Sequence, residues 1–257
     1  MENRIEGQLA LITGASAGIG KATAEILAKS GCNLALNARR ESRLKEMKEE
    51  LEAAHDIVVY IGAFDIRDRS SCEEFVKSLP SAVDILVNNA GLAKGVDAIF
   101  EADPDDWDTM IDTNVKGLLT MTRLITASMK ERNSGHVINI GSIAGHEAYA
   151  GGVVYCATKH AVKAITEATK KDLHSTKVRI SMISPGLVET EFSNVRFEGD
   201  DEKAEKVYQG IEPLTGIDIA EIVHFVANRP PHVNIMDTIV FPVAQSSSSM
   251  VARDANS

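Results

Sequence analysis

Along nearly the whole chain, short apolar runs alternate with longer stretches whose apolar residues recur at helical spacing. Residues 9–13 (Leu-Ala-Leu-Ile-Thr) form an apolar run of strand length, followed by a glycine-rich turn and a helix near 18–30. The same alternation predicts strands at 33–38, 57–62, 84–88, 136–141, 178–183 and 238–241. It predicts helices at 41–54, 68–79, about 104–132, 152–174 and 218–228. Asp103-Pro104 marks the start of the long helical region, because proline suits the first turn of a helix. Residues 187–216 read as irregular and acidic, and the Ser-rich segment 246–257 as a mobile tail. Strand–helix alternation over the full length predicts an α/β fold, a parallel sheet covered by helices on both faces. Right-handed crossovers make it doubly wound. We read one domain over 1–245, with no linker.

Composition narrows the function. Of 257 residues, 44% are apolar and 25% charged, the balance of an ordinary globular protein. The net charge is −10 with no dense Lys/Arg tract, which argues against nucleic acid or an anionic membrane as partner. The first residues lack the layout of a signal peptide, and no apolar run is long enough to span a bilayer. Cys32, Cys72 and Cys156 have no metal-ligand spacing and read as reduced thiols of a cytoplasmic protein. No metal site is expected.

The turn Thr13-Gly14-Ala15-Ser16-Ala17-Gly18-Ile19-Gly20 lies between a strand and a helix, inside a strand–helix–strand unit. In that place Gly14 allows the tight turn, Gly18 lets backbone approach a pyrophosphate, and Gly20 lets helix and sheet pack closely. The helix N-terminus offers unpaired N–H groups to phosphates. We therefore expect Gly14, Ser16, Ala17, Gly18, Ile19 and Gly20 to bind a dinucleotide. A cofactor with a free ribose hydroxyl wants an acid after the second strand. The chain instead has Asn37-Ala38-Arg39-Arg40 there. Two arginines before a helix start oppose its dipole, and a ribose 2′-phosphate explains them, which points to NADP. The competing reading pairs them with Glu41 or other surface acids.

Tyr155 and Lys159 stand four apart on the helix near 152–174 and so share a face. An ammonium beside a phenol favours the phenolate, and a tyrosine so tuned can exchange a proton with an alcohol or carbonyl oxygen. The spacing alone equally fits a solvated face.

Together these residues resemble the short-chain dehydrogenase/reductase family over nearly the whole chain. The motifs run in order: Thr13-Gly14-x-x-x-Gly18-Ile19-Gly20, Asn88-Asn89-Ala90-Gly91, Asn114, Ser142, Tyr155-x-x-x-Lys159 and Pro185-Gly186. The resemblance implies Tyr155 as general acid/base, with Lys159 lowering its pKa and holding the nicotinamide ribose. It implies Ser142 as the hydrogen-bonding partner of the substrate oxygen, and Asn114 as holder of a water that relays protons from Lys159. By the same resemblance Asp65 and Ile66 meet adenine, and Asn88, Ala90 and Gly91 line the adenosine side. Pro185, Gly186, Val188 and Thr190 then meet the nicotinamide end. A homotetramer is implied as well, with the helices at 104–132 and 152–174 forming one interface.

Residues 187–216 are then a substrate lid. Thr190-Glu191-Phe192-Ser193, Val195-Arg196, Gly199-Asp200 and Phe241-Pro242-Val243-x-Gln245 resemble a narrower branch, the NADP-dependent 3-hydroxy acid dehydrogenases. That branch includes serine and allo-threonine dehydrogenases and malonic semialdehyde reductases. Arg196 is the only basic residue between Pro185 and Lys203, and a lid over a carboxylate wants one cation. It either meets a substrate carboxylate or pairs with Glu191, Glu198 or Asp200. Two other functions stay open: a reductase of other small ketones, aldehydes or sugars, and a catalytically silent dinucleotide-binding regulator.

Overall fold

The computed structural model describes residues 2–254. Seven strands form one sheet: β1 (Leu9–Thr13), β2 (Asn33–Ala38), β3 (Val59–Ala63), β4 (Ile85–Asn88), β5 (His136–Ile140), β6 (Arg179–Pro185) and β9 (Asp237–Val240). They are all parallel, in the order β3-β2-β1-β4-β5-β6-β9. The helices between them are α1 (Gly18–Lys29), α2 (Glu41–Ala54), α3 (Arg69–Ser78), α4 (Pro104–Ile111), α5 (Leu118–Arg132), α6 (Val153–Asp172) and α9 (Gly216–Ala227).

The period-2 alternation of strand side chains sorts the core into two layers. Ala10 and Ile12 of β1 join Leu27, Met47 and Val223 under α1, α2 and α9. Leu9 and Leu11 join Cys72, Met121 and Ile125 under α3 and α5. Leu11, Ile12, Leu86 and Ile138 are fully buried, each contributing about 1.5–3 kcal/mol of hydrophobic stabilisation. The chain winds outward from β1 to β3, then returns to β4 beside β1. That reversal opens a crevice beyond the carboxyl ends of β1 and β4, the usual ligand position in such sheets.

Three segments depart from the expectation. The long helix at 104–132 is interrupted by a π-helical stretch, Asp112–Gly117, which contains Asn114. The region 187–216 is only partly irregular. It holds two short helices, α7 (Phe192–Arg196) and α8 (Asp201–Lys206), and a parallel pair, β7 (Val188–Glu189) with β8 (Leu214–Thr215). The Ser-rich segment folds back on the body as far as residue 254. Gln245 bridges Val251, the Ser248 amide donates to Glu147, and the Asp254 amide donates to the Gly210 carbonyl. The expected mobility overlooked the backbone partners that the lid offers this segment; residues 255–257 lie outside the described residues.

Candidate active site

A cleft of about 470 Å³ lies over the carboxyl edge of the sheet. Its floor is the turn between β1 and α1. Gly14 has φ +65°, and a Cβ there would sit 2.9 Å from the Ala90 Cα. A Cβ on Gly20 would lie 2.4 Å from the Gly14 carbonyl oxygen, so only glycine lets α1 start this close to the turn. Gly18 lies against Thr190 of the lid. No side chain caps α1, and its first turn holds no acid, so its free N–H groups and positive dipole end are open to an anion. Ser16, Ala17, Gly18 and Ile19 line the cleft, while Gly20 is buried behind them. These close approaches, which any Cβ would block, bring the turn and the α1 N-terminus together as a cradle of free N–H groups that fits the pyrophosphate of a dinucleotide.

Arg39 and Arg40 line the far end. Arg40 donates to Ser16 Oγ from Nε (3.3 Å) and Nη2 (3.1 Å), and its Nη1 lies 2.7 Å from Glu191. Arg43, which the sequence reading passed over, approaches the other Glu191 oxygen at 2.6 Å. Of the acids in the competing reading, Glu41 pairs with Lys45, and the surface acid that takes Arg40 is Glu191. Asp65 and Ile66 face the cleft beside them. Hydrogen bonds from the Arg67 side chain outweigh burial and hold the Asp65 carboxyl below its usual range.

Ala90 and Gly91 line the cleft, but Asn88 does not. Its amide nitrogen donates to Thr122 Oγ1 and Asn139 Oδ1, both at 2.9 Å, inside the layer under α5. The expected cofactor contact at Asn88 is thereby corrected to a core cross-link. Asn89, one residue on and facing the other way, reaches the cleft and ties down the Thr13 and Gly14 carbonyls.

Beyond lie Ser142, Tyr155 and Lys159. Ser142 follows β5 and caps a single 3₁₀ turn, Ile143–Gly145, accepting from the Ala144 amide. Tyr155 and Lys159 come from successive turns of α6. Lys159 Nζ donates to the Ile140 carbonyl at 2.9 Å and stands 5.9 Å from the Tyr155 ring centroid. Burial lowers the Lys159 amine to about 8. Burial also raises the Tyr155 phenol to about 12, against the downward pull of a hydrogen bond with Ser142 and of the Arg196 charge. The expected depression by Lys159 is therefore absent from this structure: desolvation of both groups wins. Asn114 sits behind the cleft wall. Its Oδ1 and Nδ2 bond both backbone groups of Leu92, and Nδ2 also reaches Thr158 Oγ1. The π-helical stretch turns it inward, a common use of such distortions.

Residues of the 187–216 segment cover the end of the cleft nearest Tyr155. Pro185, Gly186, Val188 and Thr190 line the wall, and Tyr208 Oη holds Ser193 at 2.6 Å and the Val188 carbonyl at 2.9 Å. The Arg196 guanidinium lies 5.1 Å from the Tyr155 ring centroid, 5.7 Å from Phe192 and 5.8 Å from Tyr149. Its Nη2 donates to Tyr149 Oη at 2.5 Å, and its buried Nε has no partner among the described residues. Among the described residues no carboxylate pairs with it: Glu191 holds Arg40 and Arg43, Glu198 holds Lys94, and Asp200 holds Lys203. Ser248 of the folded-back segment also lines the cleft, its buried hydroxyl without a partner among the described residues. Tyr149 and Ser248 carried no spacing signal in the sequence.

The short chain dehydrogenase family model matches residues 8–201. An NADP-dependent 3-hydroxy acid dehydrogenase of Schizosaccharomyces pombe is 46% identical over 255 residues, covering 98% of each chain. One of the same description from Escherichia coli K12 is 49% identical over 242 residues, 93% of this chain and 96% of that one. A solved closed form of serine dehydrogenase complexed with NADP⁺ superposes with TM-score 0.90 at 46% identity, covering 96% of this chain and all of the other. A glycine floor, a Ser–Tyr–Lys cluster and a match through residue 201 agree: the chain belongs to the short-chain dehydrogenase family.

Proposed function

We propose that the protein is an NADP-dependent oxidoreductase that interconverts a short 3-hydroxy acid, serine-like in size, and its 3-oxo acid or semialdehyde. The observation that carries the substrate class is Arg196, a cation with a buried unpartnered N–H that lies over the Tyr155 ring. A buried donor without an acceptor is costly, and a substrate carboxylate relieves it. The names of the relatives point the same way.

Ser16, Arg39, Arg40 and Arg43 would hold the 2′-phosphate. The α1 N-terminus would hold the pyrophosphate, Asp65 and Ile66 the adenine side, and Lys159 the nicotinamide ribose. NADP held there would supply the hydride acceptor for oxidation and, in its reduced form, the hydride donor for reduction. Tyr155 moves the proton, as phenolate base in oxidation and phenol acid in reduction. Ser142 donates a hydrogen bond to the substrate oxygen and steadies charge building there. Asn114 ties Leu92 to Thr158 of α6 and would hold a water that links Lys159 to solvent for proton relay. Arg196, oriented by Tyr149, fixes the carboxylate so that the hydroxyl meets Tyr155.

We propose a cytoplasmic homotetramer, on the buried free thiols, on the family resemblance, and on one exposed large apolar side chain on each of α4, α5 and α6, namely Ile111, Leu119 and Val153. Tyr155→Phe tests the chemistry. NADPH binding should persist while turnover disappears, and a variant that still turns over would refute the acid/base role.

A further inference from the structure

Glu191 follows Thr190 on the lid, and its carboxylate reaches across to the end of β2. One oxygen lies 2.7 Å from Arg40 Nη1 and the other 2.6 Å from Arg43 Nη1. The same Arg40 fork donates to Ser16 Oγ. Two guanidinium groups thus converge on one anion, and that anion is the protein's own. Arg40 and Arg43 stand three apart at the start of α2, so both face this point. Guanidinium forks of this kind match phosphate oxygens as well as carboxylates. Burial alone would raise the Glu191 carboxyl, but hydrogen bonds from the two arginines outweigh it and keep it ionised.

We propose that Glu191 is a built-in competitor for the cofactor's 2′-phosphate, and that displacing it frees the lid segment that carries Arg196. The inference rests on the NADP reading above. The competition is winnable. The Glu191 and arginine side chains are 43–46% exposed, and exposed ion pairs stabilise little. A phosphate brings more charge and a third acceptor oxygen to the same donors. Glu191 immediately precedes α7, and Arg196 is the last residue of that helix. Release at Glu191 therefore reaches the substrate cation through one five-residue helix. A cofactor without the 2′-phosphate leaves the latch shut. Glu191 thus acts twice, sharpening discrimination between the two cofactors and making cofactor binding precede lid adjustment.

The test uses the full chain, wild type and Glu191→Gln, titrated by calorimetry with 2′,5′-ADP and with 5′-ADP. Glu191→Gln should bind 2′,5′-ADP about fivefold tighter, the scale of losing two exposed ion pairs of about 0.5 kcal/mol each, with 5′-ADP unchanged. Hydrogen exchange over residues 189–197 gives a second readout. It should quicken in the wild type with 2′,5′-ADP but not with 5′-ADP, and be fast in Glu191→Gln without either. Unchanged or weakened 2′,5′-ADP binding by Glu191→Gln would overturn the proposal, since Glu191 would then be a bystander or a support for the arginines. A wild type that does not prefer 2′,5′-ADP to 5′-ADP would overturn the NADP reading and this inference with it.

Discussion

Truncating Arg196 to alanine should separate hydroxy acids from plain alcohols. The guanidinium makes two kinds of contact. It stacks within 6 Å of the rings of Tyr149, Tyr155 and Phe192 and donates to Tyr149 Oη, contacts that serve any substrate. Its Nε is buried and unpartnered, so a carboxylate arriving there gains a charge-assisted hydrogen bond against no competing internal acid. Removing one partner of a buried, hydrogen-bonded charge pair costs about 2–5 kcal/mol, or at least about thirtyfold in affinity. The stacking contacts are worth about 0.5–1 kcal/mol each, and their loss falls on every substrate alike. The assay is steady-state oxidation of 3-hydroxybutyrate and of 2-butanol, which share the carbinol but differ in the carboxylate. In Arg196→Ala, kcat/KM for the acid should fall at least about thirtyfold more than for the alcohol, chiefly through KM. Arg196→Lys should recover little of this, because an ammonium lacks the planar fork. Equal losses on both substrates would show that Arg196 only shapes the pocket, and the carboxylate argument would fail.

Three further outcomes follow from the geometry. Gly20→Ala should destabilise the protein by about 1–3 kcal/mol and abolish cofactor binding, because its Cβ would press on the Gly14 carbonyl and Asn89 Nδ2; a urea midpoint and NADPH titration equal to wild type would contradict this. With the Tyr155 phenol near 12 in the free enzyme, the phenolate needed for oxidation becomes scarcer as pH falls. Oxidation kcat/KM should therefore climb from pH 7 to 10, while reduction, which uses the neutral phenol, stays level from pH 6 to 8; parallel profiles would count against Tyr155 as the shared group. His136 is buried against Ser181, and burial, then the charges of Arg179 and Lys170, hold its pKa well below 6.5. Below that value the unfolded chain binds a proton that the folded one refuses, so stability drops as pH falls. The slope should approach about 1.4 kcal/mol per pH unit below pH 6, and urea melts of His136→Gln should lack that component.

Much of this was legible from spacing. Runs of β-length apolar residues and 3.6-residue periods are local signals, and the glycine turn and the Tyr155/Lys159 pair sit at fixed offsets within single elements. What escaped depends on partners far along the chain. Arg43 differs from other surface arginines only because Glu191, 148 residues away, meets it. Asn88 and Asn89 look equivalent in sequence, yet period-2 alternation sends one into the core and the other to the cleft. The π-helical stretch at Asn114 arises within a pattern that reads as unbroken helix. The Ser-rich segment has the composition of a loose tail, but Gln245 accepts from the Leu187 amide and Arg253 donates to the carbonyls of Val207 and Gln209 on the lid. Likewise the Tyr155 phenol ends high because burial depends on tertiary packing, which the four-residue spacing to Lys159 does not reveal.

The most direct measurement follows reduction of NADP⁺ and NAD⁺ with L-serine, 3-hydroxypropionate, 3-hydroxyisobutyrate and a simple secondary alcohol. Turnover is expected with NADP⁺ and with at least one of the three acids, well above the alcohol. Activity confined to NAD⁺ would contradict the arginine site, and a marked preference for the alcohol would contradict the hydroxy-acid assignment.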